Sequence, residues 1–348
     1  LTIFNMIELI LKGQIYLFLI IFVMMVAGMI KDNNLFSDVF TFLKRSCKSN
    51  RAVVAIFSAI TGCMPIKGRV TVSAGLLDTL ATQKPEQREK FGPIDFMSTH
   101  HYYFWSPLEK TVILPMAAFG LSYGAFMGIM WPLLAITVAY ILWYLIFVIK
   151  DEDIALQDTK GDIKVSRITR YVFPYIIAIS SVIAGINFMW SFSLLTLYYI
   201  IVTRTFDIKK LLNYVDWKIV AWVFGIIAVA NIVRTNTNDI YDFMGATGFD
   251  PNTLLGFGAV SLLAFVAAWL LGSSSRFGGI TVILTALYGV EYLPWFFAVD
   301  FAGYILSPMH KCVAIGKMYF GTKLSYYGKL LGGWALLVVG LSGVMLYA

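Results

Sequence analysis

Phe104-Trp105-Ser106-Pro107-Leu108-Glu109-Lys110 and Ile305-Leu306-Ser307-Pro308-Met309-His310-Lys311 hold the chain's two Ser-Pro dipeptides, 201 residues apart. Each lies in an apolar segment (94–122 and 293–320) long enough to cross a bilayer, which takes about 20 helical residues. Proline removes one helical hydrogen bond and clashes with the preceding turn. Each segment is therefore expected to be two half-helices joined by an unwound stretch. Upstream of each lies a second matched pair, Gly68-Arg69-Val70-Thr71-Val72 and Gly278-Gly279-Ile280-Thr281-Val282, 210 residues apart. The two halves of the chain repeat each other, and Gly/Pro interruptions at matching positions of an apolar chain mark the substrate site of a secondary transporter.

Four shorter apolar stretches do not fit a single pass: 52–63 and 70–82 flank Gly62-Cys63-Met64-Pro65-Ile66-Lys67-Gly68-Arg69. The stretches 253–271 and 280–287 flank Gly272-Ser273-Ser274-Ser275-Arg276-Phe277-Gly278-Gly279. Helix, turn and a second helix too short to cross describe a re-entrant hairpin. Lipid cannot satisfy its non-helical tip, so protein or water must cover it. Single spans are expected near 14–30, 124–149, 171–186, 188–203, 217–234 and 326–347. The first apolar block, Ile15 to Ile30, follows Glu8 and Lys12 without a small-residue cleavage site, and reads as a spanning helix and not a signal peptide.

Of the 348 residues, 59% are hydrophobic and only 14% charged, and the apolar blocks are continuous. That excludes a soluble domain and a β-barrel, whose strands alternate. The fold class is an all-α polytopic membrane protein of two inverted repeats with re-entrant hairpins and broken helices. Five organisational units are expected: 1–50, first scaffold helix and interfacial helix; 51–149, first hairpin, broken helix and span; 150–216, linker and central pair; 217–252, second scaffold helix and outer loop; 253–348, second hairpin, broken helix and last span. The stretch 34–48 is amphipathic and suits the interface, and 150–170 reads as a solvated linker.

Loop charge sets orientation. Residues 31–51 carry five basic against two acidic side chains, and 204–218 four against two. Residues 235–252 carry three aspartates and no base. The positive-inside rule puts the first two in the cytoplasm and the third outside, so the repeats run in opposite directions and the protein is expected in the cytoplasmic (inner) membrane. The net charge of +7 belongs to such loops and not to nucleic acid. Cys47, Cys63 and Cys312 have neither metal nor disulfide spacing, and adjacent His100 and His101 face different sides of a helix. No metal centre and no cofactor are expected.

The segment Gly303-Tyr304-Ile305-Leu306-Ser307-Pro308-Met309-His310-Lys311-Cys312, with Tyr319-Phe320 beyond it, closely resembles the "GYxxSPxHLC…YF" motif of an integral-membrane family, domain of unknown function family 401. Residues 65–78 and 100–108 resemble its first-half segments. That family belongs to the ion-transporter superfamily of arsenite, sodium/proton and sodium-dicarboxylate carriers. The resemblance implies a homodimer with a static scaffold and a mobile unit of hairpins and broken helices, working by elevator-like alternating access.

Half-helix N-termini at the breaks and tips favour an anion, and ionisable residues at membrane depth are functional candidates. The candidate substrate residues are Lys67, Gly68, Arg69, Thr71, Ser73, Ser106, Pro107, Lys110, Ser273, Ser274, Ser275, Arg276, Thr281, Ser307, Pro308 and Lys311. Hydroxyls at such breaks can equally close freed backbone. Glu109, His310 and Asp300 are the coupling candidates; His310 and Glu109 occupy equivalent positions of the two repeats. No nucleophile–base pair or phosphate loop points to an enzyme. The expected function is secondary transport of a small carboxylate or oxyanion coupled to H⁺ or Na⁺. The alternative is a non-transporting membrane subunit that keeps the fold.

Overall fold

With no water in a bilayer core, a chain this apolar must close its backbone hydrogen bonds within each segment. The computed structural model, which describes residues 3–33, 35–47, 49–62, 69–155, 165–272 and 277–347, is nearly all helix, with no strands among those residues. Among the described residues, four helices are long and apolar enough to cross a membrane: Tyr123–Phe147, Trp217–Thr235, Leu254–Leu271 and Leu324–Tyr347. Large apolar side chains stay exposed on their outer faces, among them Trp131, Leu142 and Phe147, or Leu254, Leu255, Leu262 and Leu263. Such a surface is stable against lipid and would aggregate in water.

The order of elements repeats. In the first half, Ile3–Asp32 and a short amphipathic helix, Leu35–Ser46, precede a hairpin (Asn50–Gly62, Arg69–Asp78). A broken helix (Phe91–His100 with a 3₁₀ turn His101–Phe104, then Lys110–Phe119) and Tyr123–Phe147 follow. In the second half Trp217–Thr235, Thr237–Ala246, a hairpin (Leu254–Leu271, Gly279–Tyr288), a broken helix (Leu293–Leu306, Lys311–Phe320) and Leu324–Tyr347 come in the same order. Both second half-helices stop at a glycine with positive φ, Gly120 at 67° and Gly321 at 66°, again 201 residues apart. A left-handed residue just past the last turn is how glycine ends a helix.

The repeats run in opposite senses. At one end of the molecule Lys210 and Tyr214 hold Asp32 at 3.1 and 2.6 Å, Arg167 holds Asp38 at 3.1 Å, and Arg51 holds Asp151 at 2.7 Å. The first hairpin opens at this basic end. At the other end Arg234 donates to the Ala118 carbonyl, Tyr241 to Leu287 and Tyr288 to Pro251. There the second hairpin opens, beside the loop with three aspartates. Asp32 lies outside the spanning segments, and the Tyr214 hydrogen bond, aided by Lys210, holds its carboxyl below the usual range.

Two sequence expectations need correction. The stretch 253–271 is not an arm too short to cross: Leu254–Leu271 has 18 residues, about 27 Å at 1.5 Å per residue. Nor is the start of the linker solvated throughout: Lys150, Asp151 and Glu152 are exposed, but the next two residues are buried. Asp153 is fully buried and its carboxylate binds the Lys90 amine at 2.7 and 2.9 Å. The Ala155 N–H donates to Leu80 and the Thr82 N–H to Asp153, pinning this end of the linker to the first hairpin. A short helix, Thr237–Ala246, also occupies the acidic loop.

Two apolar cores result. One gathers the first hairpin, the broken helices and the helices 123–147 and 324–347 around Phe57, Phe104, Phe301 and Trp334. The other gathers 3–32, 165–183, 188–203 and 217–235 around Val26, Phe192, Tyr199 and Ile227. The half-helix 110–119 and the arm 279–288 give Ile113, Leu114, Val282 and Ala286 to this second core.

Candidate functional site

A proline at position i leaves the carbonyl at i−4 without its helical donor. Pro107 leaves Tyr103 so, and Pro308 leaves Tyr304 with only the Ser307 N–H, at 3.3 Å, as backbone donor. The Thr111 hydroxyl donates to the Tyr103 carbonyl at 2.8 Å, and His310 Nδ1 lies 3.1 Å from the Tyr304 carbonyl. Ser106 Oγ accepts from the Leu108 N–H and Ser307 Oγ from the Met309 N–H, each bridging its proline. These two serines therefore serve the backbone. Between the breaks the Tyr103 and Tyr304 hydroxyls meet at 3.0 Å. They are repeat equivalents, so the pseudo-two-fold axis passes between them.

The hairpins are threaded through the opposite repeats. Arm 69–78 packs on half-helix 311–320, and arm 279–288 on half-helix 110–119. Half-helices 91–100 and 311–320 approach closely because Gly92 and Gly316 leave room for the Tyr327 hydroxyl, which a Cβ at either glycine would hit. A Cβ at Gly62 would lie 2.7 Å from the Thr99 backbone, and one at Gly272 would strike Ser307 Oγ. Both hairpin tips thus begin against their broken helices. Lys67, Gly68, Ser273, Ser274, Ser275 and Arg276 lie outside the described residues.

At the first break the charged candidates converge. Glu109, the N-cap of helix 110–119, sits 3.8 Å from the Arg69 guanidinium and 4.0 Å from the Lys110 amine. The guanidinium also lies over the Tyr102 ring, 4.0 Å from its centroid. All are largely shielded, and Ser106 and Pro107 are buried. Both pairs are longer than the roughly 2.7–2.9 Å of a tight charge-assisted hydrogen bond.

Each hairpin is tied to its own broken helix by a buried aspartate. Asp95 Oδ1 accepts from Ser58 at 2.8 Å and from Ser73. Asp300 Oδ2 accepts from the Thr281 hydroxyl at 2.8 Å and from the N–H groups of Gly278 and Thr281 at 3.1 and 3.3 Å. Asp300 Oδ1 is buried without a hydrogen-bond partner among the described residues. Gly278 in turn abuts Thr111, so this carboxylate site adjoins the charged one. Thr71 is half-buried on the same arm as Ser73. Sequence reading missed Asp95; the only signal for it was a lone acid within an apolar run.

The second break differs. Pro308, Met309 and Lys311 are exposed, whereas Glu109 and Lys110 of the first break are largely shielded. His310 is buried and does not share partners with Glu109, its repeat equivalent. Its Nε2 faces His100 Nε2 at 3.2 Å, and the ligand atoms of His100, His310 and Cys312 all lie within 4.8 Å of one another. The spacing argument against a metal centre considered neighbours in sequence, and this group is assembled across the repeats.

Opposed hairpins and two broken helices, with Tyr103 and Tyr304 meeting between the breaks, define a helical membrane protein built on discontinuous helices. The chain belongs to the family described as Protein of unknown function (DUF401), whose model matches residues 2–346. No curated protein matches it.

Proposed function

We propose that the protein is a secondary transporter of a small anion, a carboxylate or oxyanion, coupled to H⁺ or Na⁺ and working by alternating access in the cytoplasmic membrane, as a homodimer of the ion-transporter superfamily. The observation that carries this reading is the Arg69–Glu109–Lys110 group. It joins an unwound stretch to two helix N-termini, at the start of 69–78 and of 110–119. Helix N-termini carry partial positive charge, and the group sets two basic side chains around one carboxylate, a setting suited to an anion. The two separate apolar cores support a scaffold (3–32, 165–203, 217–235) against which the other unit moves. Asp300 Oδ1, buried without a partner among the described residues, suits it to carry a coupling proton or Na⁺.

The same ion pairs favour the second reading, a non-transporting subunit, because Glu109 already answers part of the positive charge. Uptake of labelled carboxylates and oxyanions into proteoliposomes, with pH and Na⁺ gradients imposed separately, decides between them. Transport predicts gradient-driven accumulation of at least one anion. Arg69→Lys keeps the charge but loses the planar fork, and should weaken it by about tenfold to a hundredfold, the equivalent of one charge-assisted hydrogen bond of about 1.5–3 kcal/mol. Absence of uptake or exchange for every anion under either gradient would leave the subunit reading. A transported cation or neutral sugar would overturn the electrostatic argument.

A further inference from the structure

Both buried histidines have their tautomer set by a carbonyl. His100 Nδ1 lies 2.6 Å from the Phe96 carbonyl and His310 Nδ1 3.1 Å from that of Tyr304. A carbonyl only accepts, so each Nδ1 carries the hydrogen. In a neutral imidazole the other nitrogen is then a bare lone pair. Two lone pairs face each other at 3.2 Å, which is repulsive unless something electropositive lies between them. The rings are held in this pose: Phe96 stacks on His100 with centroids 4.0 Å apart and planes within 3°, and Tyr304 lies 4.3 Å from His310. Histidines that donate Nδ1–H to a carbonyl and aim Nε2 at a common point are the outer-shell arrangement of metal-binding imidazoles.

Distances agree with that reading. Zn–N bonds of about 2.0–2.1 Å at a tetrahedral angle put the two nitrogens about 3.3–3.4 Å apart. The third group, Cys312 Sγ, is a free thiol two residues beyond His310, within 4.8 Å of both nitrogens. Zinc–thiolate bonds of about 2.3 Å ask it to close in by roughly an ångström, which a small χ1 change provides. Two imidazoles and a thiolate suit a borderline-soft ion and not Mg²⁺ or Ca²⁺.

We propose that His100, His310 and Cys312 bind one divalent transition-metal ion of the Zn²⁺ type, clasping half-helix 91–100 of the first repeat to half-helix 311–320 of the second. Three protein ligands leave a fourth position for water or a small anion. The site stands whether or not the protein transports anything.

The test uses full-length protein purified in detergent, stripped with a chelator and titrated with Co²⁺, then Zn²⁺. Expected are one equivalent of Co²⁺, visible bands of tetrahedral strength, a near-ultraviolet thiolate-to-cobalt band, and displacement by Zn²⁺ with a rise in melting temperature. Cys312→Ser should abolish the thiolate band. His310→Gln and His100→Gln should each weaken binding at least as much as loss of an outer-shell partner, about 10–100-fold. Should a histidine variant fail to fold, Cys312→Ser and the wild-type spectrum carry the test. Absence of saturable binding would show that the histidine pair shares only a proton. Binding that survives all three substitutions would put the ion elsewhere. Either result overturns the proposal.

Discussion

The two Ser-Pro breaks start from the same local chemistry and finish differently. Both prolines deprive a tyrosine carbonyl of its helical donor, and both serines close the N–H two residues on. In the first repeat a threonine hydroxyl fills the carbonyl, the break is buried, and the next two residues, Glu109 and Lys110, face Arg69. In the second the Ser307 N–H and an imidazole share it, Pro308 and Met309 are exposed, and the ring's free nitrogen faces another histidine. A repeated backbone need not carry repeated chemistry. The breaks supply a bent chain, and the residues that repair it decide whether the place holds charge or lone pairs.

The largest contrast should appear in thiol labelling. In a background with the native cysteines replaced by serine, Met309→Cys should react readily with a water-soluble maleimide and Leu108→Cys should not, since their exposures are 67% and 6%. If the protein alternates access, conditions that turn the carrier over should raise labelling at 108 and lower it at 309. Equal labelling of both in every condition would erase the asymmetry.

The aspartate ties come next. At about 1.5–3 kcal/mol for each hydrogen bond to a charged group, Asp300→Ala strands three donors and should destabilise more than Asp95→Ala, which strands two. Melting in detergent measures the order, and the reverse order would mean that the ties are not equivalent. A smaller effect is expected at the junction of the repeats. A methyl at Gly316 must displace the Tyr327 hydroxyl, and overpacking of this kind costs about 1–3 kcal/mol. Gly316→Ala should therefore lower the melting temperature, and Tyr327→Phe in the same chain should restore part of it. Failure of the second change to help would locate the clash elsewhere.

The smallest effect is at the basic end. Asp32 has a lowered folded pKa, so its contribution is present above the ordinary carboxylate value and fades as pH falls through the folded one. The pair is half exposed, so salt screens it. Asp32→Asn should melt slightly lower than wild type near neutral pH in low salt. It should melt like wild type in strong acid or in high salt. A difference that persists in acid would mean that shape and not charge holds this corner.

The features legible in sequence were those that act within about 20 residues. Hydropathy and Gly/Pro punctuation located the hairpin arms, both breaks and the opposite ends of the molecule. Asp95 escaped because its counterpart Asp300 lies 205 residues on, in register with neither the 201 nor the 210 offset. The His100–His310 contact needs half-helix 91–100 of one repeat against 311–320 of the other, and periodicity carries no information about threading. Asp153 read as part of a charged linker because its partner, Lys90, is 63 residues away. The stretch 253–271 reads as a re-entrant arm, although its length is nearly that of the helix, because a hairpin arm and a crossing helix look alike by composition.

The tyrosine pair on the pseudo-axis carries a consequence of its own. One hydroxyl must donate and the other accept, so the bond between Tyr103 and Tyr304 has a direction that the two-fold relation forbids. However alike the repeats become, this one proton makes them unequal. Exchange of roles between the halves would reverse its sense. The pair is thus a one-bit record of which repeat is which, and Tyr103→Phe or Tyr304→Phe erases the bond and the bit with it.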